Sequence, residues 1–300
     1  MKWIKSPQQY YFSSAFTLLF LACLFANGSL KAADKFFSAK DTLFFDNFAG
    51  ESLDRSKWNV IVTGWTVNNE QQAYVDSTSA IYIARGAEAG DATDGAALVI
   101  QPQYRPGFRT KEGKKFDFTS GRIDTKGKFE FICGRASARM KLPEGSGFWP
   151  AFWLLGTGRW PDTGEIDIME NVGEGDWTSV ALHGPGYSGE TPLVNKAYFT
   201  KSNASEWHVY SVDWKPGGFT FTVDGITVYR ATRPMIENYG RWAYDNPKYI
   251  ILNLALGGAY PVKTNGVKTP YNGIPESTVN LIRENKAKVL VDWVLITQDK

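Results

Sequence analysis

The sequence predicts an all-β protein, built as a sandwich of antiparallel sheets, from two observations. Short apolar or alternating runs follow one another from Phe44 onward, separated by Gly, Asn, Asp and Pro, which is typical of strands joined by turns. Almost no helical pattern intervenes, apart from a weak one over 233–239. No Ser-, Gly- or Pro-rich linker follows residue 40, so the strands are predicted to form one domain.

The elements follow from these runs in chain order. Residues 208–231 form a predicted meander, with a turn at 216–218 and a two-residue hairpin turn at Asp224-Gly225. Segments 86–95 and 265–276 are predicted to be surface loops. The predicted strands cover 58–62, 80–84, 97–102, 128–141, 147–155, 165–170, 179–183, 208–215, 218–223, 226–231, 249–256 and 288–297.

The first 32 residues differ from the rest. Lys2 and Lys5 precede an apolar run over 15–26, which is too short to span a bilayer, and small residues follow at 32 and 33. This layout predicts a signal peptide over 1–32 and a secreted domain over 33–300, extracellular or periplasmic. A lipoprotein anchor at Cys23 is the alternative, disfavoured because apolar residues continue to Phe25.

Composition narrows the function further. With 43% hydrophobic and 21% charged residues the chain is globular, which excludes disorder. Cleavage after residue 32 would leave 30 basic and 31 acidic residues. This balance gives no reason to expect nucleic acid or membrane as a partner of the mature form. Only Cys133 would remain, so no intramolecular disulfide is expected, and its strand-like surroundings predict an inert thiol.

The predicted strand 165–170 carries three acids, Glu165, Asp167 and Glu170. In a regular strand the first two share one face, whereas Glu170 falls on the other. A bulge near Met169 would bring Glu170 back, and bulges are favoured beside active sites. Two facing carboxyls suit glycosidic bond cleavage, one as nucleophile and one as acid and base, while the third acid between them shifts their pKa values apart. A solvent-exposed acidic strand and calcium ligation by the same acids are the alternatives.

Aromatic residues beside the acids favour the carbohydrate interpretation. Trp149 and Trp153 share one face of the preceding strand, and Trp160 comes just before the acids. Indole faces stack on the apolar faces of pyranose rings, so this row suits a polysaccharide cleft. The alternative is that these Trp residues fill the core of the sandwich.

At these motifs the sequence resembles glycoside hydrolase family 16, in its laminarinase-like branch. The resemblance is carried by the runs 149–153 and 164–170, in which the second Glu lies one residue later than in the lichenase branch. Further similarity covers 68–74, 120–123, 183–184, 212–214, 253–255 and 291–293.

The resemblance implies a β-jelly-roll of two curved antiparallel sheets with the substrate on the concave face. It implies Glu165 as nucleophile, Glu170 as acid and base, and Asp167 as their electrostatic partner. No cofactor is implied for catalysis, and the protein is expected to be a monomer. The residues that the family match places along the substrate cleft are Asn69, Arg122, Trp149, Trp153, Trp160 and His183.

Asp292 resembles a family residue that helps to bind a structural calcium ion far from the active site. One departure lies at 133–139, where Ser137 replaces a usual Glu that would have been a charge partner for Arg139. The departure touches none of the catalytic acids.

The leading hypothesis is therefore a retaining endo-β-1,3-glucanase that acts on laminarin-type or mixed-linkage β-glucans. A galactan hydrolase of the agarase, carrageenase or porphyranase type is an alternative, because such relatives share the acid motif. A non-catalytic β-glucan-binding protein is a third hypothesis, disfavoured because both glutamates are present.

Overall fold

The structure, a computed structural model, describes residues 41–298. Its strands alternate with turns throughout this range. In chain order they are β1 (Asp41–Asp46), β2 (Asn59–Val60), β3 (Gln72–Tyr74), β4 (Ile81–Arg85), β5 (Ala96–Ile100), β6 (Gln103–Arg109), β7 (Lys115–Ser120), β8 (Arg122–Asp124), β9 (Gly134–Lys141), β10 (Phe148–Gly156), β11 (Glu165–Glu170), β12 (Trp177–His183), β13 (Leu193–Tyr198), β14 (His208–Lys215), β15 (Gly218–Val223), β16 (Ile226–Thr232), β17 (Lys248–Leu256) and β18 (Val289–Gln298).

Helices are short: a 3₁₀ turn (Gly86–Ala89), α1 (Arg233–Glu237), α2 (Ala259–Asn265) and α3 (Glu276–Arg283). Only α1 was expected. It begins where the Thr232 hydroxyl accepts a hydrogen bond from the Met235 amide. The helices α2 and α3 were not predicted, because their single apolar turns are too short to stand out in the sequence. Of these, α3 is stabilised by packing, since Val279 and Ile282 on one side are buried.

Two large antiparallel sheets make up most of the fold, which confirms the predicted all-β sandwich class. One follows the order β16-β15-β14-β9-β18-β5-β4, with β1 also paired to β18. The other follows β13-β12-β11-β10-β17-β8-β2, and we call it the acid sheet because it contains β11. A third sheet of β3, β7 and β6 includes one parallel pair, β3 with β7.

The core contains the inward faces of both large sheets. On β10, Phe152 and Leu154 are fully buried while Trp149 and Trp153 alternate with them on the other, half-exposed face. Trp214 on β14 belongs to the same buried cluster as Phe152. This alternation leaves the second face of the acid sheet available to solvent, and we call it the open face.

Several predicted boundaries were wrong. The strand predicted over 128–141 begins only at Gly134, because Cys133 adopts a left-handed backbone with φ of 57° and residue 131 forms only an isolated bridge. Burial raises the pKa of the half-buried Cys133 thiol, so the thiol is not activated. The hairpin turn at Asp224-Gly225 is confirmed, with positive φ at both residues as a type I′ turn requires.

The predicted signal peptide over 1–32 and the anchor alternative at Cys23 lie outside the described residues. Within 41–298, no helix is long and apolar enough to cross a membrane.

Candidate active site

The acid-bearing strand β11 contains an irregularity at its centre. Asp167 pairs with Ala181 of β12 and Glu170 pairs with Ser179, so two residues face the single residue between them. The same slip appears against β10, where Met169 faces Phe152 and Asp167 faces Trp153. The extra residue lets Ile168 and Met169 both enter the core, fully buried. It also returns Glu170 to the open face, as the sequence analysis expected of a bulge.

Glu165 lies at one end of this strand, under an indole and beside an imidazole. Trp160 Nε1 donates a hydrogen bond of 2.9 Å to Glu165 Oε2, although Trp160 itself remains 44% exposed. His183 Nε2 is 3.8 Å from Glu165 Oε1, because the two residues pair directly across β11 and β12. Trp160, whose loop varies within the family, thus contacts the predicted nucleophile.

Asp167 is the most deeply buried of the three acids, at 3% exposure. Its Oδ2 atom is 3.4 Å from His183 Nε2 and has no hydrogen-bond partner among the described residues. Burial, followed by the charge of Glu170, raises the pKa of Asp167 well above its usual value.

Glu170 has its own donor, since Trp149 Nε1 donates a hydrogen bond of 2.9 Å to Glu170 Oε1. Burial raises the pKa of Glu170, and the Trp149 bond opposes that rise. Burial and, second, repulsion from Asp167 raise the pKa of Glu165 to about 8. The substrate-free site therefore retains protons near neutral pH, which suits chemistry that passes a proton between carboxyls.

His183 has a defined hydrogen-bonding role in this cluster. The backbone amide of Gly189 donates to His183 Nδ1 at 3.2 Å, so the neutral ring carries its proton on Nε2. The Nε2 atom lies 3.8 Å from Glu165 Oε1 and 3.4 Å from Asp167 Oδ2. The ligand atoms of these three residues lie within 4.8 Å of one another, close enough for a metal ion. A protonated Nε2 cannot bind a cation, however, so this arrangement fits proton chemistry better than metal binding.

Trp153 and Arg122 form a second group on the open face. Trp153 Nε1 donates to the Asn253 side chain at 2.8 Å, and Asn253 in turn donates to the Tyr74 hydroxyl at 3.1 Å. The Arg122 guanidinium lies 5.1 Å from the Trp153 ring centroid. Burial raises the pKa of Glu70, and a hydrogen bond from Gln72, followed by the charge of Arg122, opposes this rise.

Asn69 is the last of the predicted cleft residues. It is exposed in the turn before β3, with φ of 58°, and only its backbone carbonyl is bonded, to the Gln71 side chain. The structure gives the Asn69 side chain no contact with the acids.

An aromatic group at the Glu170 end of the acid sheet was not predicted from the sequence. Tyr260, on α2, contacts Trp149 edge-on at 5.6 Å and shares a hydrogen bond of 3.1 Å with Ser179. Trp177 lies 6.5 Å from Tyr260 and carries Lys196 above its ring. Because α2 was not predicted, the sequence offered no signal that Tyr260 lies beside Trp149 and Ser179.

Asp292 does not fit the expected calcium site. Its buried carboxylate accepts hydrogen bonds from the Thr93 amide at 3.0 Å, from the Thr93 hydroxyl at 2.6 Å and from Arg139 Nη1 at 2.5 Å. A calcium ion needs several oxygen ligands, whereas Asp292 faces a guanidinium. Among residues 41–298, no group of three neighbouring His, Cys, Asp or Glu side chains includes Asp292. These contacts of Asp292 therefore give no support to the expected structural calcium ion.

Comparison with known proteins agrees with this geometry. Residues 55–273 match the profile of glycosyl hydrolases family 16. A β-glucanase of Rhodothermus marinus is 31% identical over 73% of this chain and 77% of its own length. Glucan endo-1,3-beta-glucosidase A1 of Niallia circulans is 31% identical over 79% of this chain, which spans only 36% of that longer protein.

Among solved structures, the endo-beta-1,3-glucanase of Pyrococcus furiosus superposes with a TM-score of 0.73. It is 31% identical, and the alignment covers 86% of this chain and 94% of that one. The likeness extends over nearly all the described residues, well beyond the acid motif. The chain belongs to glycosyl hydrolases family 16.

Proposed function

We propose that this protein is a retaining endo-β-1,3-glucanase, which hydrolyses internal bonds of β-glucans through a covalent glycosyl-enzyme intermediate. One observation carries the proposal: the slip in β11 presents Glu165 and Glu170 on the same open face, each with its own indole donor. Two carboxyls held separately beside aromatic surfaces suit a double displacement on a sugar chain.

In the first step, Glu170 donates its proton to the glycosidic oxygen while the Glu165 carboxylate attacks the anomeric carbon. The bond to the leaving sugar breaks, and an ester to Glu165 forms. In the second step, Glu170 accepts a proton from water, whose oxygen attacks the same carbon and releases Glu165. Both carboxyls thus return to their starting protonation states.

Asp167 and His183 prepare Glu165 for attack. A proton on the buried Asp167 would let Glu165 ionise without placing two adjacent negative charges in the site. His183, whose Nε2 lies 3.8 Å from Glu165 Oε1, lowers the pKa of Glu165 and so favours its ionised form. The raised pKa of Glu170 keeps its proton available for the leaving group.

A β-glucan substrate is supported by the relatives named as glucanases and by the indoles on the open face. The near balance of basic and acidic residues favours a largely neutral polymer over a densely charged one.

The test is incubation of the protein over 33–300 with laminarin, barley mixed-linkage glucan, agarose and carrageenan, followed by reducing-end and product-size assays. We expect oligosaccharides of mixed length from laminarin and none from the Glu165→Gln variant. Release from a galactan alone would assign a different substrate. Binding without cleavage of any polymer would instead indicate a glucan-binding protein.

The proposal includes secretion and a monomeric state. Secretion is supported by the two lysines and the apolar run that begin the sequence. N-terminal sequencing of protein recovered outside the cytoplasm should begin at residue 33, and light scattering should give the mass of one chain.

A further inference from the structure

The edge strand β13 carries a cation on the open face, along the row that contains Glu170. Glu170 pairs with Ser179, and Ser179 pairs with Lys196, so the three side chains project on the same face. Two strand spacings put Lys196 about 10 Å from Glu170 across the sheet. Its neighbours on that face, Val194 and Tyr198, are 49% and 63% exposed. A polymer crossing the strands at Glu170 would therefore reach Lys196.

Lys196 has an aromatic partner in place of an acidic one. Its Nζ lies 3.5 Å from the centre of the Trp177 ring, and no salt bridge joins it to a carboxylate within residues 41–298. The ring of Tyr260 lies 6.5 Å from the ring of Trp177. The Lys196 ammonium thus lies against an aromatic ring, and no carboxylate neutralises its charge.

Protection of the sheet edge is the simpler explanation for a lysine on β13, because edge lysines discourage pairing with other chains. That role requires only that the side chain extend into water. Here the side chain folds back over Trp177 and leaves this indole 5% exposed. The ammonium covers the ring face on which a sugar would stack.

We propose that Lys196, seated on Trp177, forms a subsite for an anionic substituent on a sugar lying on the β13 side of Glu170. The substituent would be a sulfate ester or a carboxylate, to which the ammonium donates hydrogen bonds without leaving the ring. A neutral sugar must displace Lys196 before it can stack on Trp177. Lys196 is therefore a specificity-determining residue, and this inference rests on the proposed glucanase function.

The test compares kcat/KM on laminarin with kcat/KM on lightly sulfated laminarin and on laminarin oxidised to carry C6 carboxylates. For Lys196→Gln, the ratio of anionic to neutral kcat/KM should fall about threefold, the effect of one exposed ion pair. Lys196→Arg should restore the ratio. Lys286→Gln removes the same charge from the loop before β18, away from the acid sheet, and should keep the wild-type ratio.

Ionic strength gives a second readout. Added NaCl should lower the wild-type ratio toward that of Lys196→Gln, because screening weakens an exposed ion pair. A loss confined to the sulfated polymer would identify a sulfate ester as the ligand, and a loss on both polymers would identify negative charge alone. An unchanged ratio in Lys196→Gln, with laminarin still cleaved by the wild type, would overturn the inference only. A wild type inactive on every polymer would overturn the proposed function, and the inference with it.

Discussion

One buried and two half-buried acids within one short strand are costly to the fold. Burial raises the pKa of Glu165, Asp167 and Glu170, which means that each ionised form is less favourable in the folded protein than in the unfolded chain. An acid with a raised folded pKa lowers stability once the pH exceeds its ordinary value. The catalytic site is thus expected to trade stability for reactivity.

The Glu165→Gln variant tests the effect of this acid on both activity and stability. Laminarin hydrolysis should fall roughly 10³-fold or more, because the amide cannot form the covalent ester. At pH 7 the free energy of unfolding should rise by about 1–3 kcal/mol, because a group whose ionisation is unfavourable in the folded protein is removed. Glu112→Gln, in an exposed turn, should change neither quantity. Near wild-type hydrolysis by Glu165→Gln would show that Glu165 is not the nucleophile.

His183→Ala should move the acidic limb of the kcat/KM profile to higher pH. His183 lowers the pKa of Glu165, so removal of its side chain raises that pKa and delays ionisation of the nucleophile as the pH increases. Trp160→Phe removes a hydrogen bond that acts in the same direction and should shift the limb less. A limb that stays in place or moves downward in His183→Ala would rule out this role.

At the scale of elements, the slip in β11 makes an unusual deletion testable. Removing Ile168 would let Met169 and Glu170 pair one to one with β12, and Glu170 would still reach the open face. We expect the deletion variant to fold and to retain measurable laminarin hydrolysis. Its free energy of unfolding should fall by about 2–4 kcal/mol, because one buried side chain is lost from the core.

The matched control adds a residue instead. One alanine inserted after Met169 would turn Glu170 toward the core and should abolish hydrolysis. Circular dichroism and thermal unfolding would establish that both variants fold. If the deletion variant folded but proved as inactive as the insertion variant, the slip itself would be required for catalysis.

An ion pair between His208, which is buried at the start of β14, and Asp224, in the turn after β15, predicts a pH dependence of stability. His208 Nδ1 lies 2.7 Å from Asp224 Oδ2, and Nε2 lies 3.0 Å from the Asn203 carbonyl. Burial alone would lower the pKa of His208, but these hydrogen bonds outweigh it and raise that pKa. The stabilisation should be complete below the ordinary histidine pKa and should disappear as the pH rises through the folded value.

His208→Gln should therefore lower Tm more at pH 5.5 than at pH 9, as measured by thermal unfolding across that range. The variant keeps a polar side chain but cannot carry the charge that faces Asp224. Equal losses of Tm at both pH values would show that His208 contributes packing alone.

At the scale of the whole molecule, the sequence predicted what local periodicity determines. The pattern of apolar and polar residues predicted the observed bounds of β11. It also predicted that Trp149 and Trp153 share one face of their strand, which is the face away from the core. Contacts between distant segments left no such signal. Lys196 over Trp177 and Asn253 bonded to Tyr74 depend on strand order, which a single sequence does not specify. For the same reason Arg139 could not be recognised as the partner of Asp292.

Asp292 and its hydrogen-bond donors join three distant parts of the chain. Asp292 on β18 is 1% exposed and accepts hydrogen bonds from Arg139 on β9 and from Thr93, in the loop before β5. Removing one partner of a buried pair leaves the other unsatisfied. Asp292→Ala should therefore lower the free energy of unfolding by about 2–4 kcal/mol. Asp76→Ala, which breaks an exposed pair with Arg55, should cost less than about 1 kcal/mol.

The same contacts predict that a chelator will not affect the folded protein. Because the Asp292 carboxylate is bonded to an amide, a hydroxyl and a guanidinium, its charge is neutralised without a metal ion. Thermal unfolding should show one transition, since both large sheets share one buried core, and excess EDTA should leave its Tm unchanged. A drop of several degrees that added calcium reverses would mean that the ion displaces Arg139 from Asp292, and the family's calcium site would then exist in this chain after all.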